Sequence, residues 1–444
     1  MKRLKLAELI SALSHALDIT EGQPEGHCVR CCWIGMHIGR EYGLSEHQMW
    51  SLYYTLLLKD LGCSSNAARI CELYLTDDLS FKRDFKTIGD SLPKVLNFVL
   101  KHTGLKAGLA ERFRNVLTIM RDGKEIAQEL IATRCHRGAE IARLLRFPQD
   151  VSDGIYSLDE HFNGQGRPAG LSADAVPIYS RIALLAQVID VFHTQGGKGE
   201  ALEEIAQRSG SWFDPDLVDI AEKLADVPGF WETLASPEII ERILALEPAG
   251  QVVELDDDYL DDIAAAFGQV VDSKSPYTSG HSARVALYTD MIAEELEISP
   301  ERRRWLKRGA LLHDVGKLGV SNSILDKPGK LDDEEWKAVQ MHATYTETIL
   351  SRIDAFDELA RVAASHHERL DGNGYPRGLT AESISLETRI ITTADIFDAI
   401  TAERPYRGAI PIPKTLEMMA ENVGTAIDEV CFNGLKRALE RLPA

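Results

Sequence analysis

The segment Leu311-Leu312-His313-Asp314-Val315-Gly316-Lys317 ends an apolar run with an imidazole beside a carboxylate, and sets a lysine three residues beyond the carboxylate. Neither His nor Asp is stable in an apolar interior without a partner. A divalent metal is such a partner, because mixed imidazole and carboxylate ligation suits Zn, Mn, Fe and related ions. The chain has thirteen histidines, and those after residue 250 are His281, His313, His342, His366 and His367. Successive gaps of about one helix plus one loop let each come from a different helix and converge in a bundle core. Any one of them alone reads as an ordinary core or surface histidine. Five together, with His-Asp and His-His adjacent, favour a metal centre.

The elements that must position these groups read as helices. His281, Val285, Tyr288, Ile292 and Leu296 fall on one stripe, which buries His281. Ser299-Pro300 opens the helix that runs to His313, and Asp332 or Asp333 caps the one bearing His342. His366 and His367 are expected to end a helix, where neighbours diverge by about 100° and so suit one ligand to each of two metals. Asp371-Gly372-Asn373-Gly374-Tyr375-Pro376 is a tight loop, its glycines permitting positive φ and close backbone approach. Ile390–Ile400 reads as a final helix with Asp395 and Asp398 on one face. Lys327-Pro328-Gly329-Lys330 reads as a surface turn.

His313-Asp314 with Gly316-Lys317, then His366-His367-Glu368 and the Gly374-Tyr375-Pro376 loop, resembles the HD-GYP branch of the HD phosphohydrolases. Asp395-Ile396-Phe397-Asp398-Ala399 and Arg404-Pro405-Tyr406-Arg407 fit that branch too. The resemblance implies an all-α fold and a cyclic dinucleotide phosphodiesterase in a bacterial cytoplasm. It implies two divalent ions held by His281, His313, Asp314, His342, His366, His367 and Asp395, with Asp314 bridging. Iron or manganese come first, with nickel, cobalt, magnesium or zinc also compatible. Some members hold a third metal through a glutamate four residues before the first histidine; Tyr277 stands there, so two ions are expected. The catalytic set is then Asp314, Lys317 and Asp398, with Lys317 placed to stabilise charge on the phosphate and Asp398 to orient or deprotonate the water. Lys317, Gly374, Tyr375, Arg404 and Arg407 are candidates for the substrate. The expected reaction is hydrolysis of cyclic di-GMP to the linear dinucleotide and on to GMP. The first alternative is a phosphodiesterase specific for 3',3'-cyclic GMP-AMP, and the second is a non-catalytic receptor. A full ligand set argues against the receptor.

The first half echoes the second. His27 and Asp60 share one offset of 254 with their counterparts (281−27, 314−60). Pro168, Arg181 and Asp190 share another of 208 (376−168, 389−181, 398−190), and Gly210–Asp214 echoes Gly424–Asp428. The chain therefore reads as two tandem HD-type helical bundles, the first with about 46 extra residues (254−208) falling within 64–121. Domains are expected at 1–235 and 256–444, joined by a linker at 236–255. The first copy lacks the ligands: Lys59 stands for His313, Leu158 and Asp159 for His366 and His367, Gln187 for Asp395 and Cys63 for Lys317, leaving His27, Asp60 and His136. A lysine ammonium there pairs with Asp60 and takes the metal's place, so the first copy is expected to keep the fold without a dinuclear centre.

Composition sets the outer bounds. Hydrophobic residues make up 44% and charged residues 27%, a globular balance. A net charge of −20 argues against duplex nucleic acid as a partner. No apolar run is long enough for a transmembrane helix, and no signal-peptide pattern occurs, so a cytoplasmic location is expected. Seven scattered cysteines fit reduced, buried thiols. Oligomeric state stays open, a homodimer being one option.

Overall fold

The computed structural model describes residues 4–86, 92–104, 108–249, 253–403 and 408–441. Among these, helices supply the regular structure, with isolated bridges only at Ser209–Phe213, Asp371–Thr380 and Val423–Ile427. The chain divides into two compact units, Met1–Asp256 and Asp257–Ala444.

In the second unit the apolar stripes meet in one core. Val285 and Ile292 of the His281–Glu295 helix, Leu306 and Ala310 of Pro300–Leu312, and Ile390, Ile391 and Phe397 of Leu386–Thr401 are all buried there. Each buried Ile, Leu or Phe contributes about 1.5–3 kcal/mol. Helix starts follow local chemistry. Ser299 accepts from the amide of Arg302, and Asp332 accepts from Glu334 and Glu335 in a capping box. The Leu386–Thr401 helix is not the last, because Ile412–Ala420 and Glu429–Glu440 follow it. Cys431, Phe432 and Leu435 of the latter close the core.

The first unit repeats the plan. His27–Tyr42, Glu46–Leu58 and Ile178–Gln207 stand where His281–Glu295, Pro300–Leu312 and Leu386–Thr401 stand in the second. Asp214 and Asp428 each cap the next helix, and Gly210 and Gly424 each donate to the carbonyl three residues on, at 2.9 Å. The extra residues form the helices Ala67–Tyr74, Asp78–Phe85 and Leu92–His102 and the start of Leu109–Leu144. Ile70, Tyr74, Phe81, Phe98 and Ile119 give them a small core of their own. Residues 236–249, expected as a linker, carry the Ile239–Ala245 helix and pack within the first unit: Tyr53 donates to the Ile243 carbonyl at 3.2 Å and Tyr54 to Glu247 at 2.7 Å.

Candidate metal centre

The turn after the Pro300–Leu312 helix brings Asp314 against the helix bearing His342. A Cβ on Gly316 would lie 1.9 Å from the His342 carbonyl oxygen, so only glycine allows this approach. Thr346 locks the contact, accepting from the Gly316 amide and donating to the His313 carbonyl, both at 3.0 Å. Asp314 is buried, with its two oxygens facing opposite ways. Oδ2 lies 3.3 Å from Nε2 of both His281 and His313. Oδ1 lies 3.6 Å from Nε2 of both His342 and His366. Asp395 joins the first side, 3.4 Å from His281 Nε2.

In the second unit the residues that can hold an ion accordingly include His281, His313 and Asp395 on one side and His342, His366 and His367 on the other, with Asp314 between them. His367 groups with His342, whereas His366 groups both with His342 and with His313 and Asp314. The helix ends at Ala364, so both lie in the turn beyond it rather than on the helix. Thr392 pins that turn by donating to the His366 carbonyl at 2.7 Å.

The ring tautomers are fixed from behind. Nδ1 of His313, His342 and His366 lies 2.6, 2.5 and 2.6 Å from the carbonyls of Ala310, Val339 and Ala363. A carbonyl only accepts, so each Nδ1 carries a proton and each Nε2 points inward, as a lone pair in the neutral rings of His342 and His366. His342 and His366 Nε2 then face one another at 3.5 Å, a repulsive contact that a cation between them relieves. His281 Nε2, His313 Nε2 and Asp314 Oδ1 are buried with no hydrogen-bond partner. Burial pulls the His313 imidazole down, but Asp314 and Asp395 outweigh it and push it up to about 9. Burial holds His342 neutral, down to about 4, and His367 down to about 3. Orphaned buried polar atoms, carboxylates on the first side that draw positive charge, and neutral imidazoles on the second fit divalent cations.

Asp398 is engaged on both oxygens by a histidine and an arginine. Its Oδ2 lies 2.7 Å from His281 Nδ1, and Arg284 grips both oxygens at 2.6 and 3.1 Å. Its expected role as a base is therefore corrected to positioning, with both oxygens occupied behind a histidine. Lys317 Nζ stands 2.5 Å from Asp314 Oδ2. Gly374 lets its loop close, since a Cβ there would meet the Arg369 amide at 2.4 Å. Glu368 ties the loop by accepting from the amides of Arg377 and Leu379 at 2.7 and 2.8 Å. Tyr375 lies beside His367, ring centres 4.8 Å apart, with Trp336 edge-on at 6.0 Å. Arg404 and Arg407 lie outside the described residues. Arg284 and Glu368 were missed as functional residues, although Arg30 at the 254 offset marked the former.

The first unit holds the same frame with different contents. His27 Nδ1 lies 2.7 Å from Asp190, which Arg30 grips at 2.6 and 3.1 Å, copying His281, Asp398 and Arg284. Lys59 is buried and reaches Asp60, His27 Nε2 at 3.0 Å and Gln187 at 3.1 Å. Burial works against its charge, but Asp60 outweighs this and keeps the ammonium protonated. His136 is not a surviving ligand, being exposed with its Nδ1 on the Ala132 carbonyl. A Cβ on Gly62 would meet the Arg134 carbonyl at 1.9 Å, as one on Gly316 would meet that of His342. Arg134 therefore takes the place of His342 and pairs with Asp159, the counterpart of His367. The offset of 208 would have found it (342−134).

A family model described as HD domain matches residues 116–217 and 266–430. This chain belongs to the HD domain family. It carries the Gly-Tyr-Pro loop of the HD-GYP branch in its second unit and a second, degenerate HD bundle in its first. It is 60% identical over 438 residues to the 3'3'-cGAMP-specific phosphodiesterase 3 of Vibrio cholerae, covering 99% of this chain and 95% of that protein. The solved structure of a cyclic GMP-AMP specific phosphodiesterase of V. cholerae, V-cGAP3, matches with a TM-score of 0.67 and 54% identity over 99% of this chain and 98% of that one. The cyclic di-GMP phosphodiesterase response regulator RpfG of Xanthomonas campestris is 34% identical over 214 residues, 47% of this HD chain and 56% of that protein. No helix among the described residues is long and apolar enough to cross a membrane.

Proposed function

We propose that this chain is a metal-dependent phosphodiesterase whose substrate is 3',3'-cyclic GMP-AMP. Likeness to the V. cholerae enzyme across nearly the whole of both chains carries the substrate. It moves the choice from cyclic di-GMP, the first expectation, to its alternative. Cyclic di-GMP remains the second reading, because the likeness to RpfG lies in about half the chain.

His281, His313 and Asp395 would hold one divalent ion, His342, His366 and His367 the other, and Asp314 would serve both; iron or manganese suit this ligand set best. Such a pair, when bound, lowers the pKa of water and neutralises charge on a phosphoryl group. The chain's own groups do the rest. Lys317 presents its ammonium beside Asp314, where it stabilises charge developing on the phosphate or the leaving oxygen. Asp398, held by Arg284, keeps His281 in the tautomer that frees Nε2. Tyr375 and Trp336 form an aromatic wall against which a purine can stack.

The test is turnover of a cyclic dinucleotide panel by protein prepared anaerobically with Mn or Fe, with metal counted per chain. Cleavage of 3',3'-cyclic GMP-AMP in preference to cyclic di-GMP, with about two metals per chain, is expected. The reverse preference would select the second reading, and two metals with no cleavage of either would sink both. Lys317→Ala is expected to lower kcat by about 10²–10³-fold, as loss of one preorganised charge donor does.

A further inference from the structure

The first unit contains a cavity of ≈230 Å³ lying over the positions that metals would occupy in an intact HD bundle. Gln187, Arg134 and Asp159, the counterparts of Asp395, His342 and His367, form its floor. Residues of the added helices Ala67–Tyr74 and Asp78–Phe85 form its roof, so the insertion partly covers the place where the chemistry was lost. One wall is apolar: Ile70, Tyr74, Phe81, Phe85, Leu130 and Ile131. The other end is cationic, with Lys82, Lys86, Arg134 and Arg167 against Glu21 and Asp159. Counting also Asp78, 3.8 Å from Lys82, the lining keeps an excess of positive charge in a chain whose net charge is −20.

One buried polar group at this cavity is unspent: Asn66 Oδ1 has no hydrogen-bond partner. Lys86 Nζ is ion-paired with Glu21 Oε2 at 2.8 Å and lines the cavity beside it. Leaving a buried acceptor unsatisfied costs about 1–3 kcal/mol, a cost that a ligand with donors removes.

We propose that this cavity is a binding site for a nucleoside monophosphate, with the phosphate at Lys86, Arg134 and Arg167 and the base on the Tyr74–Phe81–Phe85 wall. A phosphomonoester carries about −1.5 to −2 charges at pH 7, which matches the cationic end. Arginine and lysine donors suit phosphate oxygens, and the aromatic wall suits a purine face. The volume of ≈230 Å³ lies below the about 300–1,000 Å³ of usual ligand pockets, which favours one nucleotide over a cyclic dinucleotide. The site is separate from the metal centre and holds whether or not the second unit turns over cyclic GMP-AMP.

Isothermal titration of the full chain with AMP, GMP and inorganic phosphate tests it. The same titration is run on His313→Ala/Asp314→Ala, which disables the metal centre, and on Arg167→Ala, Lys86→Met and Leu130→Trp. Mononucleotide binding is expected to survive in the metal-centre variant. It is expected to weaken about tenfold in Arg167→Ala, the effect of one lost charge-assisted contact, and to vanish in Leu130→Trp, where the added indole fills the cavity. Arg167 is half-exposed with no ion pair among the described residues, so its removal tests binding without testing the fold. Binding lost in the metal-centre variant, binding unchanged in both Arg167→Ala and Lys86→Met, binding of phosphate alone, or equal affinity for a cyclic dinucleotide would each overturn the proposal.

Discussion

Asp398 shows how far a residue's type carries and where position takes over. An aspartate three residues from a metal ligand, on the same helix face, reads as a second group at the reaction. Its distances to His281 and Arg284 make it instead the carboxylate behind the imidazole. Asp398→Ala is therefore expected to cost about 10–100-fold in metal affinity, measured by competition with a chelator, and the conservative Asp398→Asn should restore part of it. The replacement of His313 by Lys59 was legible from the repeat alone, because an ammonium beside a buried carboxylate has one stable arrangement. The replacement of His342 by Arg134 was not, since His136 lay two residues away and looked like a survivor; only the Gly62 contact fixes the register. Lys59→Met would strand the buried charge of Asp60 and should cost about 3–5 kcal/mol, read by denaturant unfolding. Lys59→Met with Asp60→Leu should recover most of that loss, because no unpaired charge remains.

Among the elements, helix bounds set by local capping were readable and those set by tertiary contacts were not. Ser299 and Asp332 announce their roles, since capping is local chemistry. Where the Asp357–Ala364 helix stops is set by tertiary contacts, including the Thr392 bond to His366. His366 and His367, expected to end that helix, lie in the turn beyond it. The Gly-Tyr-Pro loop depends on backbone contact that no larger residue permits. Gly374→Ala is expected to push the loop off the Arg369 amide and remove most activity, while far-ultraviolet circular dichroism of the helices stays unchanged. A fully active Gly374→Ala would show that the loop's closure has no part in turnover.

At the scale of the whole molecule, the tandem plan was legible because two constant offsets survive in 444 residues. The roof over the first bundle was not, since an insertion has no counterpart against which to be read. Two compact units with different fillings predict two responses to metal. Saturating metal should raise the melting of the second unit by about 5–10 °C, from about 2.7 kcal/mol at a hundredfold excess over Kd and about 2–4 °C per kcal/mol. The first unit's transition should not move, and calorimetry with and without a chelator separates them. A single transition shifting as one would show that the units melt together. Lys59 and Arg134 have a further consequence. Their charges are built in at translation and are neither imported, exchanged nor oxidised. Withdrawing metal from the chain therefore leaves the Lys59 and Arg134 pairings intact. The first half needs no supply from outside the polypeptide to keep its centre filled.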